Sequence, residues 1–404
     1  MKSETNLCTK TRRKTIKVRL GTSLERVCAR AVSERPRLIS LLSVVFVSSI
    51  VAMTSQAGIN RWTPSLIGVH ADAVAVDATN PAIAYAATGA GIFKTTDRGV
   101  QWSLVEPTPV ATAIAIDPQN HSRVISGSTA VVLQPVDEVP VSKTTLRLSD
   151  DGGSTWREID AGFLYGPVMT FAFDLGRPGT IYAALVDNGI VRSVDFGQTW
   201  TLANRGLYCC QPNSGFSLTH DVAVSSGSST IYAASESLFR SADGAENWDN
   251  LDTARDSSWM TLPGGEFEPY KITIDRFDPA RLYMSGWFAP HQAHTLGPAA
   301  LTSGDSGRHW QELPVGTLNR ITIDPRIPTT LYTTVPVGYR TPARGVLRST
   351  DRGATWTEFN DGLTNLEATS IEIDASGSLL YTITTEGVFV YDVTAPARRR
   401  AVSR

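Results

Sequence analysis

The stretch Arg348-Ser349-Thr350-Asp351-Arg352-Gly353-Ala354-Thr355-Trp356 decides the fold, because the chain repeats it six times with variations. The shared pattern is Ser/Thr-x-Asp-x-Gly-x-x-Trp. Its copies run Thr95 to Trp102, Ser149 to Trp156, Ser193 to Trp200, Ser241 to Trp248, Ser303 to Trp310 and Ser349 to Trp356. The chemistry is that of a tight strand-to-strand turn. A short hydroxyl and a carboxylate can cap backbone N–H groups inside the turn, and Gly supplies backbone freedom that a Cβ would obstruct. The Trp then opens the next strand and packs its large apolar face into a sheet stack. One copy carries Ala245 where Gly is expected, which predicts a strained or differently shaped turn.

Working outward, each copy is preceded by the same two-strand phrase, an alternating apolar strand ending in Asp and then a strand marked by Tyr. Ala73 to Asp77 leads to Tyr85, Ala113 to Asp117 leads to Ile125 in the Tyr slot, and Thr170 to Asp174 leads to Tyr182. Asp221 to Ser225 leads to Tyr232, Lys271 to Asp275 to Tyr283, Arg320 to Asp324 to Tyr332, and Ser370 to Asp374 to Tyr381. A third strand, such as Gly345-Val346-Leu347, runs into the turn motif, and the Trp strand is the fourth. Period-2 alternation with β-branched and aromatic enrichment makes these strands. Four antiparallel strands repeated at spacings of 44 to 62 residues are the blades of a propeller. The seventh copy ends at its third strand, Gly387 to Val393, while Asn60-Arg61-Trp62-Thr63 matches the strand that follows each turn motif. The expected fold is therefore an all-β, seven-bladed propeller over residues 58–393, with the N-terminal strand completing the last blade and removing exposed edges.

The motif resembles the Asp-box, or BNR, repeat of sialidases, sortilin-type receptors, xyloglucanase-like glycosidases and many non-enzymatic bacterial propellers. That resemblance implies structural roles for Asp97, Asp151, Asp195, Asp243, Asp305 and Asp351, on the face opposite the ligand site. Photosystem assembly factors and sortilin-type receptors are non-catalytic members of the family.

The two ends read differently from the blades. Residues 1–37 carry eleven Lys/Arg against three Glu, and Leu38 to Met53 is an uncharged, mostly apolar run followed by Ser55-Gln56-Ala57. Residues 1–57 read as a basic region plus a secretory signal cleaved after Ala57, with an uncleaved single-pass anchor at residues 38–53 as the alternative. The protein is then secreted or periplasmic. Residues 394–404 read as a disordered basic tail. Without both ends, 22 basic and 36 acidic residues remain, a net of −14, which argues against nucleic acid or an anionic membrane as partner. The only cysteines outside the N-terminal region are the neighbours Cys209 and Cys210, which form a strained vicinal disulfide or stay as two thiols.

Function is expected on the face bearing the second-to-third and fourth-to-first connections, since the long ones all fall there: 129–144, 204–217, 251–269, 288–298 and 337–344. Trp259 and Trp287, the two Trp not assigned to blades, lie in this set with Tyr339 and Arg340, beside Asp256, Glu266 and Glu268. Aromatic faces beside carboxylates suit a sugar or a peptide. Asp72, His220, Asp221, Tyr270, Lys271, Asn319 and Arg320 occupy equivalent positions at the rim of the central channel. Such charges bind a small polar ligand or are merely solvated.

The chain supplies no sialidase arginine triad from corresponding inner-strand positions, and Arg326-Ile327-Pro328 lies in an ordinary late-blade turn. The pair His291 and His294 lacks a third ligand of matching spacing, so no metal and no cofactor are expected. Xyloglucanase-like enzymes use two Asp across a cleft between two propellers, and Asp72 is the position to watch here. The reading is an exported, monomeric, non-catalytic scaffold binding a protein or glycan through its long-loop face. The alternative is a sialidase- or xyloglucanase-like glycoside hydrolase acting on extracellular carbohydrate.

Overall fold

The structure is a computed structural model and describes residues 60–107, 110–133, 140–159, 165–207, 219–227, 229–251, 260–262, 265–290, 297–338 and 342–393. Among these residues there are 29 strands and no helix. The strands form seven antiparallel sheets, six of four strands and one of five. Within each sheet the order follows the chain, except that the first strand, β1 (Trp62–Ile67), pairs with the last, β29 (Gly387–Asp392). Their register sets Trp62 opposite Tyr391 and Ile67 opposite Gly387. The expected closure is thus observed, and no blade is left open at the seam.

Seven buried clusters hold the blades together, one at each junction between neighbours. The Tyr of the second strand sits in these junctions: Tyr85, Tyr182, Tyr232, Tyr283 and Tyr381 are each almost fully buried. A buried phenol needs a partner for its hydroxyl. Tyr85 donates to the Gly152 carbonyl at 2.7 Å and Tyr182 to the Gly244 carbonyl at 3.2 Å, in each case reaching the Asp turn of the following blade. Where Ile125 replaces Tyr in the second blade, the contact is apolar instead, with the Ile125 side chain packed close to Gly197.

The Asp turns repeat one hydrogen-bond pattern. The Ser349 hydroxyl donates to Asp351 at 2.7 Å and accepts the Gly353 N–H at 2.8 Å, while Asp351 accepts the Thr355 N–H at 2.9 Å. These donors stabilise the charged form, so Asp351 is held down at about 2, led by the Thr355 side-chain bond. The turns place two successive residues at positive φ, as in Arg352 (61°) and Gly353 (89°). In the exceptional copy Gly takes the first place at φ 85° and Ala245 the second at φ 66°. The Ala245 N–H still reaches the Ser241 hydroxyl at 2.9 Å, so the turn keeps its shape and the cost falls on the Ala backbone. Because an L-residue with a Cβ pays about 1 kcal/mol in this region, Ala245→Gly is expected to stabilise the protein by about 0.5–1 kcal/mol in urea titration. A loss of stability would show that the Ala245 methyl, which is buried, matters more than the backbone.

Two blades stand taller than the rest. In the second blade, β7 (Val124–Leu133) and β8 (Pro140–Ser149) each run ten residues. In the fifth, β19 (Gly265–Ile274) and β20 (Leu282–Pro290) run ten and nine, and β18 (Met260–Leu262) adds an extra strand. Corresponding strands elsewhere have two to six residues. Four or five extra residues raise a strand by about 15 Å. Much of what reads in sequence as long loops at 129–144, 251–269 and 288–298 is therefore sheet, standing on the face away from the Asp turns.

Candidate functional site

Several first strands of the blades carry a β-bulge in the same place, between Ala71 and Ala73, Ala111 and Ala113, Val168 and Thr170, Pro269 and Lys271, and Ala368 and Ser370. A bulge adds one unpaired residue and re-aims its side chain. The bulged residues include Asp72 and Tyr270, which explains why these rim positions correspond.

At the fourth and fifth blades the structure gathers His220, Glu236, Glu268, Tyr270 and Trp287. Glu268 and Trp287 are cross-strand partners on the tall fifth blade. The His220 ring stacks on Tyr270 with centroids 3.9 Å apart, and its Nε2 lies 3.6 Å from a Glu268 oxygen. Trp287 lies within reach of Tyr270, whose phenol is pushed up by burial and then by the Glu268 charge. Glu236 comes from the turn between β15 (Ile231–Ala234) and β16 (Leu238–Ser241), closed by the Ser235 N–H on the Ser237 carbonyl at 3.0 Å. Burial raises the Glu236 carboxyl, and the nearby Glu268 charge raises it further. The two carboxyl groups thus lie in electrostatic range of one another, and the Glu268 charge disfavours the Glu236 anion. Sequence reading singled out Glu268, His220, Tyr270 and Trp287 but missed Glu236. Its only signal was its place in a second-to-third turn on the long-loop face.

Asp72 stands apart from this cluster in its interactions. Its side chain is 36% exposed, faces His70 at 3.6 Å, and is raised by burial against the lowering effect of His70. Glu266 is half-buried on the same tall strand, opposite Thr261. Asp256, Trp259, Tyr339, Arg340, Cys209 and Cys210 lie outside the described residues.

Asp221 and Arg320, expected at the channel rim, are paired with each other. The Asp221 side chain has no exposure, and its two oxygens accept Arg320 Nη2 at 2.6 and 2.7 Å, with the Ile272 N–H at 2.9 Å on the second. Arg320 Nη1 donates to the Ile272 carbonyl at 2.7 Å, so one guanidinium ties the fourth, fifth and sixth blades together. Asn319 donates to the Thr334 hydroxyl at 2.8 Å and is likewise occupied. Lys271, lowered by burial, reaches the His220 carbonyl at 3.3 Å.

Glu372, on β27 (Ala368–Ile373) of the seventh blade, faces this layer and was not singled out from sequence. Burial and the Asp221 charge push its carboxyl up to about 7, opposed by Arg320 and Lys271. The unfolded chain sheds this proton near 4.5, so the native state binds more protons between there and 7. Stability should therefore be greatest below about pH 4.5 for this group and fall as pH rises through 7. Glu372→Gln is expected to flatten that slope and to gain about 2 kcal/mol at pH 8 in urea titrations run at several pH values. An unchanged pH profile would refute the assignment.

No group of metal-binding side chains occurs among the described residues, and no described helix could cross a membrane. No family model matches the chain. A xyloglucanase of Hypocrea jecorina (strain QM6a) is 27% identical over 275 residues, covering 61% of this chain and 32% of the relative. The chain thus spans about a third of the length of that protein. Among solved structures, the GH74 xyloglucanase from Xanthomonas campestris superposes with a TM-score of 0.62 at 16% identity, covering 84% of this chain and 54% of that one. YCF48 bound to D1 peptide superposes at 0.53 and 16% identity, covering 84% of this chain and 98% of the other. YCF48 from Cyanidioschyzon merolae gives 0.55 at 13% identity, covering 82% and 98%. The fold is that of these seven-bladed propellers.

Proposed function

We propose that the chain is an exported glycoside hydrolase acting on an extracellular polysaccharide, with Glu236 and Glu268 as its acid/base pair. The sequence reading placed a non-catalytic scaffold first and a hydrolase second. The similarity to a xyloglucanase reverses that order. The observation that carries the reading is the glutamate pair itself, set beside Tyr270 and Trp287 on the tall fifth blade. In this reading Glu236, whose anion burial and the neighbouring Glu268 charge disfavour, gives a proton to the glycosidic oxygen as the bond to the anomeric carbon breaks. Glu268, steadied by His220, receives the proton of an attacking water or attacks the anomeric carbon itself. The rings of Tyr270 and Trp287 offer apolar surface to the C–H face of a sugar.

Reducing-sugar release by purified residues 58–404 from xyloglucan and a panel of plant and bacterial polysaccharides tests this. Glu236→Gln and Glu268→Gln should each lower kcat about 10²–10⁴-fold, with Asp72→Ala changing it less than about tenfold. If Asp72→Ala alone abolishes release, the reacting centre has been misassigned. Silence across the panel would return the loop face to a non-catalytic binding role, to be examined by pull-down with Trp287→Ala and Trp259→Ala.

A further inference from the structure

Below the Arg320 layer the channel widens into a cavity of about 400 Å³, a size typical of small-molecule sites. First strands of the first, fourth, fifth, sixth and seventh blades line it. Its walls are largely aliphatic, as in Ile274, Ile323 and Ile373, and its lining reaches Arg276 and Phe277 in a turn on the Asp-turn face. Two polar groups on these walls are open to a guest. The Thr273 hydroxyl is buried without a hydrogen bond, and the Glu372 carboxyl meets Arg320 and Lys271 through charge alone. Buried polar atoms left unpaired cost free energy, and a ligand that pairs them recovers it.

Charge decides what kind of ligand fits. The layer and the cavity lining hold Arg320, Lys271 and Arg276 against Asp221, Glu372 and Asp374, three cations and three anions, so the channel is already balanced. A charged guest would enter a low-dielectric space without a counter-charge. A neutral guest with several hydroxyls, each both donor and acceptor, meets the carboxyl and the Thr hydroxyl at no such cost. Its C–H surface can then lie against the isoleucines.

We propose that this channel is a second ligand site, entered from the Asp-turn face, for a neutral polyhydroxylated molecule of mono- or disaccharide size. It shares no residue with the Glu236–Glu268 cluster, so it stands or falls apart from the hydrolase reading. Occupancy would pin the first strands of five blades to one another through the ligand.

Isothermal titration of purified residues 58–404 with xylose, glucose and cellobiose, and with glucosamine and glucuronate as charged counterparts, tests the proposal. Saturable binding of at least one neutral sugar is expected, at least tenfold tighter than either charged sugar. Thr273→Val, which preserves shape, and Glu372→Leu should each weaken binding tenfold or more, while Glu312→Gln, at an exposed position on the outer strand of the fifth blade, leaves it unchanged. Circular dichroism confirms that the variants are folded, and protection of Thr273 and Glu372 backbone amides from hydrogen exchange by the bound sugar gives a readout on the unsubstituted protein. Absence of binding, equal binding of charged sugars, or neutral-sugar binding that survives both Thr273→Val and Glu372→Leu would overturn the assignment.

Discussion

Arg320→Met is expected to destabilise the protein by about 3–5 kcal/mol, because it strands Asp221 as a buried, uncompensated charge. The Asp221 side chain has no exposure, and after the substitution the Ile272 N–H is the one hydrogen bond left to it among the described residues, with the Lys271 charge, itself disfavoured by burial, as its remaining cation. The guanidinium also holds the Ile272 carbonyl, so its loss loosens the fifth blade from the sixth. Replacing both partners should cost much less than replacing one, since the penalty lies in the orphaned charge rather than in the lost attraction. Asp221→Leu with Arg320→Met is therefore expected to recover most of the loss. Guanidinium titration of the four proteins gives the coupling energy directly. A single-variant cost below about 1 kcal/mol would mean that water reaches Asp221 and that this layer is not a structural clasp.

Removing residues 58–67 is expected to be comparably damaging. The deleted strand carries Trp62, which is 1% exposed and donates from its indole to the Phe359 carbonyl at 2.7 Å. Phe359 and Tyr391 pack around that indole at centroid distances of 6.1 and 5.4 Å. Burial of such a Trp is worth about 3–5 kcal/mol, and deletion also bares the edge of β29 to pairing with other chains. A fall in Tm of about 10 °C or more, with concentration-dependent association, is expected by calorimetry and light scattering. Trp62→Ala should reproduce most of the Tm loss without the association, because the strand backbone still covers the edge. An unchanged Tm on deletion would show that the ring does not depend on its first strand.

The fold was legible because its instructions are local and repeated. A hydroxyl, a carboxylate and a glycine at fixed offsets specify one turn, and six copies of that turn, with a seventh strand phrase and the matching strand at Trp62, set the blade count at seven. The closure at Trp62 was legible for the same reason, since the missing member of a repeat can be sought at the other end. What escaped was whatever depends on two blades meeting. Glu236 is an ordinary residue in a short turn until Glu268 of the next blade stands near it. Glu372 alternates along its strand like any polar residue, and only the ring brings it to Arg320. Asp221 was identified as a candidate without its partner, because nothing local to it reveals a guanidinium 99 residues away. The tall strands of the second and fifth blades were read as loops because their upper halves lie outside the repeated phrase, where no second copy in the chain supports a strand.

The seam between β1 and β29 also sets how the molecule bears load. Because the pair is antiparallel with Trp62 beside Tyr391, the start of one strand and the end of the other leave the sheet at the same place. A pull between the segment before Trp62 and the segment after Asp392 therefore opens the ladder like a zipper, one hydrogen-bonded pair at a time from Trp62 toward Ile67. It does not shear the pairs together, which would demand a far larger force. Such a ring can resist heat and denaturant as a closed body and still part readily under tension applied through its ends.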